Sequence, residues 1–223
     1  MKIIAHIETD FKEKFGIPRQ SGLVSESTGR IIFEKEYSVP EAFRGLEDFS
    51  HIWVLWQFSE AVREDWSPTV RPPLLGGNKR MGVFSTRSPF RPNAIGLSAL
   101  KLDKVEFSKT EGIILHVSGA DLLDGTPIYD IKPYLPYADS IPRAVGGFTE
   151  NLEERHLEVD FPENLLTGVA EEKRTALKAV LGADPRPSYQ DDPERIYGMS
   201  FASYEIKFTV NGRTLKVTDV TEK

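Results

Sequence analysis

The residues of this chain best suited to chemistry lie in Phe84–Ser98, FSTRSPFRPNAIGLS. Arg87 and Arg91 stand four apart, but Pro89 and Pro92 forbid a helix there. The segment therefore reads as a stiff extended loop that holds two guanidiniums at a set distance. Stiffness lowers the entropy lost when an anion is gripped. The plain alternative is a pair of Arg-Pro steps that merely brace the loop. Asn93, beside them, can bond its own backbone or a base edge. A second segment, ADLLDGTPIYDIKPYLPY (Ala120–Tyr137), supplies the carboxylates Asp121, Asp124 and Asp130 around a Gly-Thr-Pro turn. A carboxylate there could accept from a ribose hydroxyl or an amino group, or simply close an Asx-type turn. A third, DPRPSY (Asp184–Tyr189), repeats the Pro-Arg-Pro idea and adds Tyr189, a ring on which a base could stack; a surface linker is its plain reading.

Charge distribution points the same way. The 223 residues carry 28 Lys and Arg against 34 Asp and Glu, a formal charge of −6. Yet Trp66–Leu102 holds no acid and six cations: Arg71, Lys79, Arg80, Arg87, Arg91 and Lys101. A basic stretch in an acidic chain suits a phosphate, a nucleotide or an RNA backbone, or is a solvated face with scattered arginines.

Other chemistries lack their residues. Cysteine is absent, which excludes disulfides, thiolate metal sites and a thiol nucleophile. No G-x-G-x-x-G follows a strand, and no phosphate-binding P-loop or G-x-S-x-G is present. The four histidines, His6, His51, His116 and His156, are not paired at ligand spacing, so no metal site is expected. No apolar run approaches the ~20 residues of a membrane span, and the N-terminus has no long apolar core. A soluble, cytoplasmic protein is expected.

The elements that must position these residues are mainly strands. Lys2–Thr9, Gly29–Glu34, Met81–Thr86, Ile95–Phe107 and Gly112–Ser118 read as strands, the last two as a hairpin. His51–Phe58 (HIWVLWQF) reads as a strand buried on both faces. Asp10–Gly22 reads as a loop, Pro40–Leu46 as a helical turn, and Ser67–Gly77 as irregular. Asp121–Pro142 reads as turns with short extended pieces between prolines. Ser140–Gly147 ends a first domain. Asp160–Leu181 then predicts one long helix, capped by Asp160 or Asn164 and stopped by Gly182. Ile206–Val210 and Leu215–Val220 flank Asn211-Gly212 as a hairpin. The fold class is mainly β with an α+β tail, divided as 1–147 and 148–223.

On these residues alone three functions stay open: a nucleic-acid-modifying enzyme, a silent barrel that binds nucleotide or RNA, and a metal-using hydrolase built on the aspartates. IPRQSGLV (Ile17–Val24), RGLEDFSHIWVLWQF (Arg44–Phe58), TVRPPLLGGNKRMGVFSTRSPFRPNAIGLS (Thr69–Ser98), DLLDGTPIYDIKPYLPYADS (Asp121–Ser140) and DPRPSY resemble, in that order, the TsaA-like TrmO family. The resemblance implies an N-terminal β-barrel in place of a Rossmann sheet. It implies an S-adenosylmethionine-dependent methyltransferase acting on N6 of threonylcarbamoyladenosine at tRNA position 37. It also implies a homodimer with the cofactor at or near its interface, and no metal. By matching position the cofactor would be held by Gln20, Ser21, Gly22, Ser59, Glu60, Arg87, Leu97, Asp121, Leu122, Leu123 and Asp124. The tRNA would be held by Arg91, Asn93, Asp184, Arg186 and Tyr189, with the tail's DPRPSY near the modified adenosine. A carboxylate should take the proton leaving the attacked nitrogen. Asp124 is the expected acceptor, and Asp121 or Asp130 would serve equally.

Overall fold

The strand-rich first half of the chain forms a sheet that closes on itself. The computed structural model describes residues 1–62, 65–150, 156–187, 190 and 192–223. The strands are β1 (Ala5–Thr9), β2 (Thr28–Phe33), β3 (His51–Gln57), β4 (Thr69–Val70), β5 (Met81–Gly82), β6 (Ile95–Ser108), β7 (Gly112–Ser118) and β8 (Thr126–Pro133). Six of them form a closed antiparallel barrel in the order β1-β2-β7-β6-β3-β8. The long β6 serves two neighbours. Its first half pairs with β3 and its second with β7, with an irregular step between Leu102 and Lys104 where it bends round the barrel. Ile7, Ile31, Ile52, Val54, Leu100, Leu115 and Ile128 fill the interior. Each contributes about 1.5–3 kcal/mol by leaving water.

A short helix α1 (Pro136–Asp139) follows the barrel, and a second unit then forms from β9 (Glu158–Asp160), α2 (Glu163–Leu166), α3 (Glu171–Gly182), β10 (Tyr197–Phe201), β11 (Tyr204–Asn211) and β12 (Thr214–Glu222). Its sheet runs β10-β11-β12-β9, with β9 parallel to β12. Leu177, Val180 and Leu181 of α3 pack on Ile206, Phe208 and Leu215 of the sheet.

The connection from β1 to β2 belongs to both units. It leaves the barrel at Thr9, yet its Phe11 and Val24 are buried in the core of the second unit, with Phe15 and Ile17 packed against it. Phe11 meets Phe201 edge-on at 5.9 Å, and Phe15 lies nearly parallel to Phe208 at 6.5 Å. Gly16 has φ +98°, and a Cβ there would sit 2.4 Å from the sulfur of Met199. Lys173 of α3 bonds both carboxylate oxygens of Asp10 at 2.8 Å. This strap, read from sequence as a plain loop, is a designed bridge between the units.

Several other expectations are corrected. β3 is fully buried on one face only, through Ile52, Val54 and Trp56. Its outer residues stay half-exposed because a barrel strand has solvent on one side, and Trp53 is sheltered by Tyr134 and bonded to Asp139 at 2.9 Å. Met81–Thr86 is a two-residue strand followed by a 3-10 turn at Val83–Ser85, and Ser67–Gly77 supplies its partner, Thr69–Val70. Asp121–Pro142 contains the barrel-closing strand β8. Pairing to both β1 and β3 outweighs prolines confined to its second and last positions. The long helix is two helices, broken so that Val169 enters the core. At the break Ala170 N–H donates to Tyr204 Oη at 3.0 Å and Arg174 Nε donates to the Val169 carbonyl at 2.8 Å. Asp160 and Asn164 cap neither helix; the caps are Pro162 and Ala170. In the last hairpin Asn211 pairs with Thr214, so the turn is Gly212-Arg213, with Gly212 at φ +58°. Among the described residues no helix is long and apolar enough to cross a membrane.

One close approach shapes the barrel mouth. Trp56 on β3 lies opposite Gly96 on β6, where a Cβ would fall 2.2 Å from the indole. Gly96→Ala should therefore cost about 1–3 kcal/mol through overpacking. Gly198→Ala, in open space, should change stability by less than about 0.5 kcal/mol. Urea unfolding followed by tryptophan fluorescence checks the first, because Trp53, Trp56 and Trp66 all lie in the first half of the chain, and far-ultraviolet circular dichroism checks the second.

Candidate functional site

A cavity of about 560 Å³ opens at the barrel mouth beside Trp56, a size typical of small-molecule sites. Five distant segments line it. The strap brings Lys14, Ile17, Arg19 and Gln20; the end of β3 brings Trp56, Phe58, Ser59 and Glu60. The proline-braced loop brings Arg87, Phe90 and Arg91; β6 brings Gly96 and Leu97; the turn before β8 brings Asp121 and Leu123. Most of this wall is apolar, so the few polar groups fix what it can hold.

Asp121 is held there by a relay of hydrogen bonds. Trp56 Nε1–H donates to Ser98 Oγ at 3.0 Å, and the Ser98 hydroxyl donates to Asp121 Oδ1 at 2.6 Å. Burial pushes the Asp121 carboxyl up to about 6; the bond from Ser98, the backbone N–H groups of Asp121 and Ser21, and the charge of Arg87 hold it back from rising further. A carboxylate poised near neutrality in a cleft is suited to accept a proton or face a cation.

The other expected residues separate into groups. Gln20 accepts from Arg87 Nη1 and donates to the Arg19 carbonyl, which joins the strap to the stiff loop across the cavity. Ser21 Oγ accepts from Ala99 N–H at 3.2 Å. Gly22 N–H donates to the Gly119 carbonyl at 3.0 Å, and Gly119, at φ +77°, is so close that a Cβ would lie 3.1 Å from Gly22. Ser59 and Glu60 are exposed on a 3-10 turn at the rim, where Glu60 pairs with Lys14 at 3.1 Å. Leu97 is 52% exposed and forms part of the wall. Leu122 is wholly buried in the barrel core.

Asp124, the expected proton acceptor, does not line the cavity. Its Oδ1 accepts from Thr9 N–H at 2.9 Å and its Oδ2 pairs with Lys12 at 2.8 Å, so it anchors the start of the strap. Asp130 pairs with Lys132 at 2.8 Å, also outside the cavity. Arg91 both lines the cavity and braces its own loop, donating to the carbonyls of Thr86 at 3.0 Å and Ser88 at 3.2 Å. Asn93 is exposed, and its carbonyl accepts from Ile95 N–H. Asp184 and Arg186 are 2% and 5% exposed and paired with each other, rather than presented to solvent. Tyr189 lies outside the described residues. Phe58, Ser98 and Arg19 carry no individual role in the sequence reading, although each lies within a segment that it marks: the apolar run His51–Phe58, the stretch Phe84–Ser98 and the block Ile17–Val24.

Comparison with known proteins gives two family models along the chain. The tRNA-methyltransferase O N-terminal domain matches residues 6–140, and the TrmO C-terminal domain matches residues 154–223. A protein named tRNA (adenine(37)-N6)-methyltransferase from Escherichia coli K12 is 43% identical over 222 residues, covering 97% of this chain and 92% of that one. One of the same name from Eikenella corrodens is 47% identical, covering 73% of this chain and 91% of its own. The crystal structure of TrmO from Pseudomonas aeruginosa superposes with a TM-score of 0.78 at 32% identity, covering 98% of this chain and 97% of that one.

Asp121 carries a stability signature. Its folded value, about 6, lies above its ordinary 3.8, so its contribution is complete below 3.8 and is lost as pH rises through 6. Asp121→Asn keeps an acceptor for Ser98 and removes the buried charge. It should be more stable than the unaltered chain by roughly 2–3 kcal/mol at pH 7.5, with the gap closing toward pH 4. Urea midpoints measured across that range check it.

Proposed function

The chain belongs to the tRNA-methyltransferase O family, and on that premise we propose that it methylates N6 of threonylcarbamoyladenosine at position 37 of tRNA. The coarser activity follows from the relatives: the chain is an S-adenosylmethionine-dependent tRNA (adenine(37)-N6)-methyltransferase. One observation carries the assignment of its site. A single cavity collects Gln20, Ser59, Glu60, Arg87, Leu97, Asp121 and Leu123, which the sequence scatters over a hundred residues.

The chemistry of that cavity supports the cofactor. Apolar walls from Phe58, Leu97 and Leu123 suit an adenine ring, Arg87 suits a carboxylate, and Asp121 and Glu60 suit positive charge. S-adenosylmethionine supplies the methyl group from a sulfonium that leaves as a neutral thioether. The chain's residues have two tasks. The first is positioning, because a rigid wall that holds the acceptor nitrogen in line accounts for much of the acceleration in such a transfer. The stiff Pro89–Pro92 loop and the Gln20–Arg87 contact serve this. The second is proton acceptance. The acceptor is a carbamoylated nitrogen, a poor nucleophile until its N–H proton is taken. Of the three aspartates considered from sequence, Asp121 alone lines the cavity, so we assign it that role.

The tRNA reading is supported by exposed cations close in sequence to the cavity-lining loop. Arg71, Lys79 and Arg80 lie exposed around the β4–β5 hairpin, in the stretch that contains no acid. Exposed Phe84, Phe90 and Leu97 along the same stretch support the homodimer. The second unit contributes to tRNA recognition on this reading.

Labelled S-adenosylmethionine offered with tRNA should mark adenosine 37 only in tRNA from cells that make the threonylcarbamoyl group. Equal label in tRNA lacking it would contradict that specificity, and no label in either would contradict the methyltransferase. The pH profile tests the proton acceptor. kcat/KM should rise about tenfold per pH unit below about 6 and level off above it, as Asp121 ionises. Asp121→Asn should lower kcat by about 10²–10⁴-fold, whereas Asp130→Asn should lower it less than about threefold.

A further inference from the structure

Asp184 and Arg186 look from sequence like residues that meet the tRNA, yet both are buried and turned inward. Asp184 takes φ +52°, which its short polar side chain tolerates. Its carboxylate accepts from Arg186 Nε at 2.9 Å and Nη2 at 3.1 Å, a two-pronged pair. It also accepts from Arg186 N–H at 3.3 Å, which folds Asp-Pro-Arg into a tight turn. The turn directs two backbone carbonyls at one group of the strap. Arg19 Nη2 donates to the Arg186 carbonyl at 2.9 Å and to the Asp184 carbonyl at 3.5 Å.

Arg19 lines the cavity, and so does the next residue, Gln20, which meets Arg87. On either side of this point the strap is sunk in the second unit through Phe11, Phe15, Ile17 and Val24. Glu13 adds a polar tie, its Oε1 accepting from Ser200 N–H at 2.8 Å. The cavity wall formed by Arg19 and Gln20 thus belongs by chain to the barrel and by packing to the second unit.

We propose that the Asp184–Arg186 turn is a positioning device for the cofactor cavity, holding the Arg19–Gln20 wall in place from the second unit. This rests on the reading that the cavity takes S-adenosylmethionine. It gives the second unit a task separate from RNA contact: without its turn, the guanidinium of Arg19 loses its two carbonyl acceptors and the strap its fixed height above Asp121. Asp184 and Arg186 are positioning residues, since they reach the cavity only through Arg19.

The test compares the full chain with Arg186→Lys, Asp184→Asn and Arg186→Ala. Lysine keeps the charge and loses the fork; alanine leaves a buried carboxylate unpaired and serves only if its melting stays cooperative. S-adenosylmethionine affinity is measured by calorimetry without tRNA. Exchange of the Gly22 and Leu23 amides, which donate to the carbonyls of Gly119 and Gln20, is followed in the cofactor-free protein. The proposal expects cofactor binding about tenfold weaker, faster exchange at both amides, and kcat at saturating cofactor within about threefold of the unaltered chain. The KM for tRNA should move less than about twofold. Unchanged cofactor affinity and unchanged exchange, with a raised KM for tRNA, would overturn it and return these residues to RNA contact. If the unaltered chain binds no S-adenosylmethionine the cofactor reading fails, and the amide exchange still decides whether the turn holds the strap.

Discussion

A carboxylate held at the mouth of an apolar barrel is the constraint around which this molecule is arranged. Asp121 stays there because Ser98 donates to it and Trp56 donates to Ser98 in turn. Trp56 reaches Ser98 because Gly96 opposite it has no side chain. One missing Cβ on β6 thus admits an indole, the indole orients a hydroxyl, and the hydroxyl orients a carboxylate. A part-buried carboxylate without a direct cation costs stability, and the bond from Ser98, itself held by Trp56, makes that cost tolerable. Charge density retained in an apolar cleft is what binding a cationic group or taking up a proton requires.

The second constraint is the strap. A barrel leaves its own mouth open, and the connection between β1 and β2 closes one side of it, tied to the barrel through Gln20, Ser21 and Gly22 and sunk in the second unit through Phe11 and Phe15. Three kinds of force act on that connection. Aromatic packing fixes it at Phe11 and Phe15, ion pairs fix it at Asp10 and Lys14, and backbone acceptors from the Asp184 turn fix it at Arg19. The two cores are therefore joined through the same strap that lines the site. Surface pairs at such positions are individually weak, whereas the buried aromatic contacts bring most of the apolar area.

Much of this is legible in the sequence. The alternation of β1, β2, β6 and β7 marks a sheet with one inner face, and the acid-free stretch marks the cationic side of the site. Other features depend on tertiary context. β8 hides behind prolines because two neighbouring strands outweigh its local propensity. The helix break at Thr167–Ala170 is held by Tyr204, remote in sequence, which accepts from Ala170 N–H, and by Arg174, which turns back onto the Val169 carbonyl. Asp121 and Asp124 are three residues apart in one turn, and sequence cannot say which faces the cavity; Lys12 and Thr9 N–H claim Asp124, leaving Asp121. Asp184 and Arg186 have the residue types of a surface anion site, and only packing shows them buried and directed at Arg19.

That Asp121 is a part-buried carboxyl held well above the ordinary aspartate range within the cavity is tested most directly by carboxyl ¹³C NMR of the aspartates across pH, with and without S-adenosylmethionine. The Asp121 resonance, assigned through Asp121→Asn, should titrate near 6 and shift on adding the cofactor, while the cofactor should leave the Asp130 resonance in place. A value for Asp121 near the ordinary 3.8, or cofactor binding that leaves its resonance in place, would contradict it.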